Sequence, residues 1–205
     1  MIKPIANFFS FIFHPLLLPT YGALVIINAN PDIFNYLNIR PDMLMLRVIA
    51  NTLIFPVIII LLAKPLGLIK SFYMKERHER IIPYVATLFF YIWTFFSFYK
   101  EGYTPKIFNV ILLGALIALI FAFMANALFM KVSIHTVGMG VLIGLMLALM
   151  PSSEKAILPV LIVSLLIAGA VGTARLILQS HTQKEIYVGY LIGLLSQLIA
   201  IQFIF

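Results

Sequence analysis

Seven apolar runs dominate the chain, at roughly 8–28, 44–63, 81–99, 107–130, 137–150, 157–174 and 186–205. A run of about 20 apolar residues is long enough to cross the hydrocarbon core of a bilayer as a helix, where every backbone N–H and C=O must find its partner inside the protein. The expected fold is therefore all-α, a polytopic transmembrane helical bundle of six or seven spans that forms one transmembrane domain over residues 1–205. Two runs keep the count open. The first contains Pro15 and Pro19, which would kink it or make it re-entrant, and the fifth is too short for a full crossing unless it extends into the polar residues before it.

Composition agrees with this reading, since 63% of the residues are hydrophobic and 10% charged, against about a quarter charged in soluble domains. Fourteen Lys and Arg against seven Asp and Glu give a net charge of +7. The bases are scattered at the ends of runs, with no dense basic tract or aromatic-interleaved groove, which excludes nucleic acid as a partner. Such a surplus suits a phosphate-bearing ligand or anionic membrane lipids. The absence of cysteine rules out disulfides, thiolate metal sites and cysteine nucleophiles. Lys3 and the first apolar run resemble the start of a signal peptide, but His14, Pro15 and Pro19 interrupt the run and no small-residue cleavage site follows, so cleavage is not expected. Gly140 with Gly144, and Gly189 with Gly193, form two small-xxx-small pairs that favour close helix approach.

If every run crosses, segments 64–80, 131–136 and 175–185 emerge on one side, and 29–43, 100–106 and 151–156 on the other. The first side then receives Lys131, Arg175 and the basic cluster of Lys70, Lys75, Arg77 and Arg80, together with His78, His135 and His181. Each of its three segments has two readings. The stretch KSFYMKERHERIIPY, residues 70–84, is either a solvated juxtamembrane face that fixes topology or a cationic site. In MKVSIHTVGMG, residues 130–140, Ser133 caps a helix and His135 reaches for the interface, or both face an oxyanion at that helix start. In ARLILQSHTQKEIYVGY, residues 174–190, Glu185 lies four residues beyond His181 and within reach of its imidazole if the helix has begun. Thr182 to Glu185 also reads as a capping box, and the two roles of Glu185 are compatible.

Bases, histidines, a serine and a carboxylate on one face of a bundle match phosphoryl chemistry, in which cations neutralise phosphate oxygens, one histidine attacks and another protonates the leaving alkoxide. Metal-assisted hydrolysis fits less well, because carboxylates are few on that side and no His-Glu-x-x-His occurs.

These residues resemble the type 2 phosphatidic acid phosphatase superfamily, membrane relatives of vanadium haloperoxidases. That family carries Lys, six residues, Arg-Pro; then Pro-Ser-Gly-His; then Ser-Arg, five residues, His, three residues, Asp. The third motif is matched by Ala174-Arg175, five residues, His181, three residues, Glu185. The second is matched in part by Val132-Ser133-Ile134-His135, with Val132 in place of Pro and Ile134 in place of Gly. For the first, Lys70 and Arg77 keep the spacing but His78 follows, while Lys75, Arg80 and Pro83 keep the residue types; Lys75 and Arg80 are preferred because they lie nearest the span that begins at Ile81. The resemblance covers about residues 70–195. It implies that His181 is the nucleophile, that Glu185 orients it and that His135 protonates the departing oxygen. It also implies that Arg175, Lys75, Arg80 and Ser133 hold phosphate, with neither metal nor cofactor; Lys131 is a local addition without a counterpart in the motif.

The expected function is thus hydrolysis of a lipid phosphate or isoprenyl diphosphate by a membrane phosphatase through a phosphohistidine. The alternative is a non-catalytic lipid-phosphate-binding or transport protein, which Ile134 and the irregular first motif favour. Setting aside the candidate site bases leaves Lys3, Lys64 and Lys184 on the site side against Arg40, Arg47, Lys100, Lys106 and Lys155 opposite, which favours a site facing away from the cytoplasm. Head group, tail and oligomeric state have no signature in the sequence.

Overall fold

A computed structural model of the protein describes residues 2–69, 81–151, 153 and 155–205. All seven runs are helical. Helix α1 (Ile2–Ile12) is followed by a 3-10 turn at Pro15–Leu17 and by α2 (Leu18–Ala29) and the short α3 (Pro31–Tyr36). Helices α4 (Pro41–Ile49) and α5 (Phe55–Ala63) are joined through a wide π-helical turn, Ala50–Ile54. Then come α6 (Ile81–Glu101), α7 (Lys106–Met124) with a second wide turn at Ala125–Phe129, α8 (Ile134–Leu149), α9 (Leu158–Ile177) and α10 (Gln183–Ile204).

Among the described residues, six helical stretches are long and apolar enough to cross a membrane: Ile2–Ala29, Pro41–Ala63, Ile81–Glu101, Lys106–Phe129, Leu158–Ile177 and Gln183–Ile204. The shorter α8 joins them. Large side chains such as Phe89, Trp93, Leu166 and Phe203 cover the outside of the bundle, as they must where lipid is the solvent. The chain is an all-α, multi-pass integral membrane protein.

The two irregular runs behave differently from their neighbours. His14 and Pro15 divide the first: a proline disfavours the α region for the residue before it, and His14 has φ −64° and ψ 138°. The halves also take different partners: α1 packs on α9, whereas α2 packs on α4, α7 and α8. The Tyr21 hydroxyl reaches back across the break to the Ile12 carbonyl at 2.8 Å, satisfying an acceptor that the end of α1 leaves free. The fifth run does extend into the polar residues before it, beginning at Ile134, yet at 16 residues it stays shorter than the six crossings.

Among the described residues, α8 and α10 pack on each other most extensively, and the two glycine pairs lie between them. A Cβ on Gly193 would run into the Val137 carbonyl and the Gly140 backbone, and one on Gly140 into the Tyr190 carbonyl. Bare backbone on both sides is what allows this approach. The contact continues to the helix starts, where the Ser133 amide donates to the Glu185 carbonyl at 3.4 Å.

Over the described residues, the connections sort to the two ends as the parity of the runs expects. The opposite end is tied by the Lys155 amide to the Ala29 carbonyl, 3.1 Å, and by a bidentate pair, Arg47 to Glu101 at 2.5 and 2.8 Å, with Arg47 also over the Phe98 ring. The starts of α6, α8 and α10 and the ends of α7 and α9 meet at the other end, around a cavity.

Candidate functional site

The cavity has a volume of about 550 Å³. Its deeper walls are largely apolar, made by Ile111, Ala115, Leu119, Val141 and Leu142 of α7 and α8. Its polar end carries Lys131, His135, Arg175 and His181, four of the residues singled out by sequence, and also His14. Lys75 and Arg80, the candidates from the first motif, lie outside the described residues.

Helix α10 begins earlier than its apolar run, at Gln183, and this settles the geometry of Glu185. The Thr182 hydroxyl accepts the Glu185 amide at 3.4 Å, and Glu185 Oε2 accepts the Thr182 amide at 3.3 Å, a complete capping box. The same Oε2 lies 2.8 Å from His181 Nδ1. Both roles read from the sequence therefore coexist in one carboxylate. With Glu185 ionised, Nδ1 is the donor and the neutral ring presents its lone pair on Nε2. Burial, reinforced by the nearby Lys131 and Arg175 charges, lowers the His181 pKa to about 4 even though Glu185 pulls it upward. The imidazole is consequently neutral at pH 7.

Lys131 Nζ donates to the Ser180 carbonyl at 2.7 Å, joining the segment before α8 to the loop between α9 and α10. That segment is held in turn by Asn126, whose Oδ1 accepts the Val132 amide at 3.2 Å and whose Nδ2 donates to the Tyr84 hydroxyl at 3.0 Å. Arg175, in the last turn of α9, donates from Nη1 to the Ser10 hydroxyl at 3.3 Å, while its buried Nε has no partner among the described residues. No carboxylate among the described residues pairs with Lys131 or Arg175. The carboxylate of Glu185, the nearest among the described residues, is already engaged with His181. Two cations with no carboxylate partner among the described residues, on a half-apolar wall, make a receptive place for an anion.

His135 does not extend to an exposed interface. Its Nε2 lies 3.1 Å from the Ser10 carbonyl, which can only accept, so Nε2 carries a proton and the nitrogen left for a ligand is Nδ1. Ser133 stands at the N-cap of α8 but its side chain makes no capping bond; Oγ is buried, without a partner among the described residues, and off the cavity wall.

Ser10 and His14 were not among the candidates from sequence. Ser10 bridges His135 and Arg175 through its carbonyl and hydroxyl. The His14 and His135 rings meet edge to face with centroids 5.5 Å apart. The signal available for His14 was its position at the break in the first run; for Ser10, an isolated serine in an apolar helix, there was none.

Among the described residues, no group of three or more His, Asp or Glu side chains is placed to hold a metal ion. Fold and site together define a multi-pass helical membrane protein with a cationic, histidine-bearing cavity at one end. No protein-family model, no curated protein and no solved structure matches the chain.

Proposed function

We propose that the protein is a membrane phosphatase that hydrolyses a lipid phosphate or an isoprenyl diphosphate through a phosphohistidine. The observation that carries this reading is His181, held 2.8 Å from Glu185 on a cavity wall whose cations, Arg175 and Lys131, have no carboxylate partner among the described residues. The Nε2 lone pair attacks phosphorus, the bond from phosphorus to the lipid oxygen breaks, and that oxygen takes a proton from His135. Because Nε2 of His135 is committed to Ser10, the acid is the imidazolium, formed by uptake of a second proton at Nδ1 beside the bound phosphate; that proton is the one given, and Nδ1 regains it from the water that attacks next. Water then opens the phosphohistidine, releasing phosphate and restoring His181. Arg175 and Lys131, with Lys75 and Arg80 from the preceding basic segment, neutralise the phosphate oxygens. The apolar depth of the cavity suits the first part of a lipid tail. The site is proposed to face away from the cytoplasm.

A second reading, a lipid-phosphate-binding or transport protein without turnover, is favoured by Ser133, whose hydroxyl is buried off the cavity wall. The deciding experiment is phosphate release from a panel of lipid phosphates and isoprenyl diphosphates by purified protein in detergent with chelator, beside His181→Ala. Release that the substitution abolishes supports the hydrolase. Folded protein that binds the lipids without releasing phosphate supports the second reading.

A further inference from the structure

The break in the first span contributes an imidazole to the cavity that none of the three motifs includes. The helix stops before Pro15, which disfavours the α region at His14, and the extended backbone of His14 turns its ring back over the following turn, where Nδ1 accepts the Leu16 amide at 3.4 Å. A backbone N–H can only donate. Nδ1 therefore holds the lone pair, and the neutral ring carries its proton on Nε2.

Three further features put the His14 ring at the ligand's space. His14 lines the cavity and is exposed. It stands beside His135, with ring centroids 5.5 Å apart. The turn is also pressed onto the face of α8 that bears His135: Gly138, three residues further along, leaves the space that Leu18 fills. Nε2 has no hydrogen-bond partner among the described residues. The wall thus combines two cations that have no carboxylate partner among the described residues with a neutral donor of fixed tautomer.

We propose that His14 is an additional phosphate-binding residue, donating its Nε2–H to an oxygen of the phosphoryl group in the cavity, an inference that rests on the phosphate reading of the site. No proton is transferred; the ring stays neutral and its tautomer is set by the Leu16 amide. The half-helix α1 and the break after it are then part of the binding site as well as of the membrane anchor.

Asparagine and glutamine separate this role from that of a cap. Asn in place of His14 keeps an acceptor for the Leu16 amide and puts nothing at Nε2. Gln loses the close acceptor and brings an amide N–H near the Nε2 position. Binding of inorganic phosphate to the purified full-length protein, by titration calorimetry in detergent, is compared for wild type, His14→Asn and His14→Gln, beside melting temperatures and lipid-phosphate hydrolysis. His14→Asn is expected to keep the melting temperature and weaken phosphate binding roughly 10- to 100-fold, the scale of one hydrogen bond to a charged group. His14→Gln should recover much of the affinity. Unchanged affinity in His14→Asn, or equal losses in both variants with lowered melting temperatures, makes His14 a structural cap and overturns the proposal. The same follows if wild type binds no phosphate. If wild type hydrolyses lipid phosphates while His14→Asn binds phosphate normally, the phosphatase reading survives alone. If wild type hydrolyses nothing yet His14→Asn weakens phosphate binding, the His14 donor survives and the hydrolase does not.

Discussion

Glu185 Oε2 stands 2.8 Å from His181 Nδ1 and 3.3 Å from the Thr182 amide, so a single oxygen both starts α10 and holds the imidazole. The two functions separate by substitution, because glutamine also completes a capping box but carries no charge. Glu185→Gln is expected to keep the melting temperature of the wild type and to lose roughly 10²–10⁴-fold in turnover, the scale of an orienting or acid–base group. Glu185→Ala should lose the same activity and in addition about 1 kcal/mol of stability from the cap. Equal activity in wild type and Glu185→Gln would confine Glu185 to capping.

Acid sensitivity follows from the lowered pKa of His181. The unfolded chain takes up this proton near pH 6.5 and the folded protein only near 4. Between those values the unfolded state binds more protons, so the contribution of this group to stability is present above pH 6.5 and is lost as pH falls toward 4. Turnover that needs neutral His181 should likewise keep its acid limb near pH 4. Glu185 raises this pKa, so any residual activity of Glu185→Gln should show its limb lower still. A wild-type limb at pH 6.5, read from rates across pH 3.5–8, would contradict the burial of His181.

Gly193 is a test of how the site is assembled. Its missing side chain lets α10 lie against Val137 and Gly140 of α8; α10 carries Glu185, with His181 just before its start, and α8 carries His135. Gly193→Val is expected to cost about 1–3 kcal/mol by overpacking, seen as a lower melting temperature in detergent. Phosphate affinity should fall as well, although Gly193 is not on the cavity wall.

Sidedness has a direct readout. Helix α10 leaves the cavity end and closes the chain at the opposite end, so a site facing away from the cytoplasm puts Phe205 inside. A C-terminal reporter that is active only outside the cytoplasm should remain silent. Reporter activity would reverse the orientation.

The features legible in the sequence are those governed by distance along one helix. Apolar length announced the spans, because hydrocarbon thickness divided by the rise per residue sets the count. Parity then sorted Lys131, His135, Arg175 and His181 onto one side, and the four-residue spacing of His181 and Glu185 set their contact before any tertiary structure is considered. Pro15 marked the break in the first run by its own stereochemistry.

What lay across the bundle from each residue was decided by tertiary packing. Ser10 is 125 residues from His135 and 165 from Arg175, and no periodicity relates positions so far apart. Their meeting depends on α1 packing on α9 and on the turn after it seating against Gly138 of α8. Packing also put Ser133 Oγ behind the cavity wall although the motif spacing placed it beside His135. Spacing along a helix is fixed by covalent geometry, whereas the side chain that faces it from another helix is chosen by where two surfaces fit, and that choice exists only once the bundle has closed.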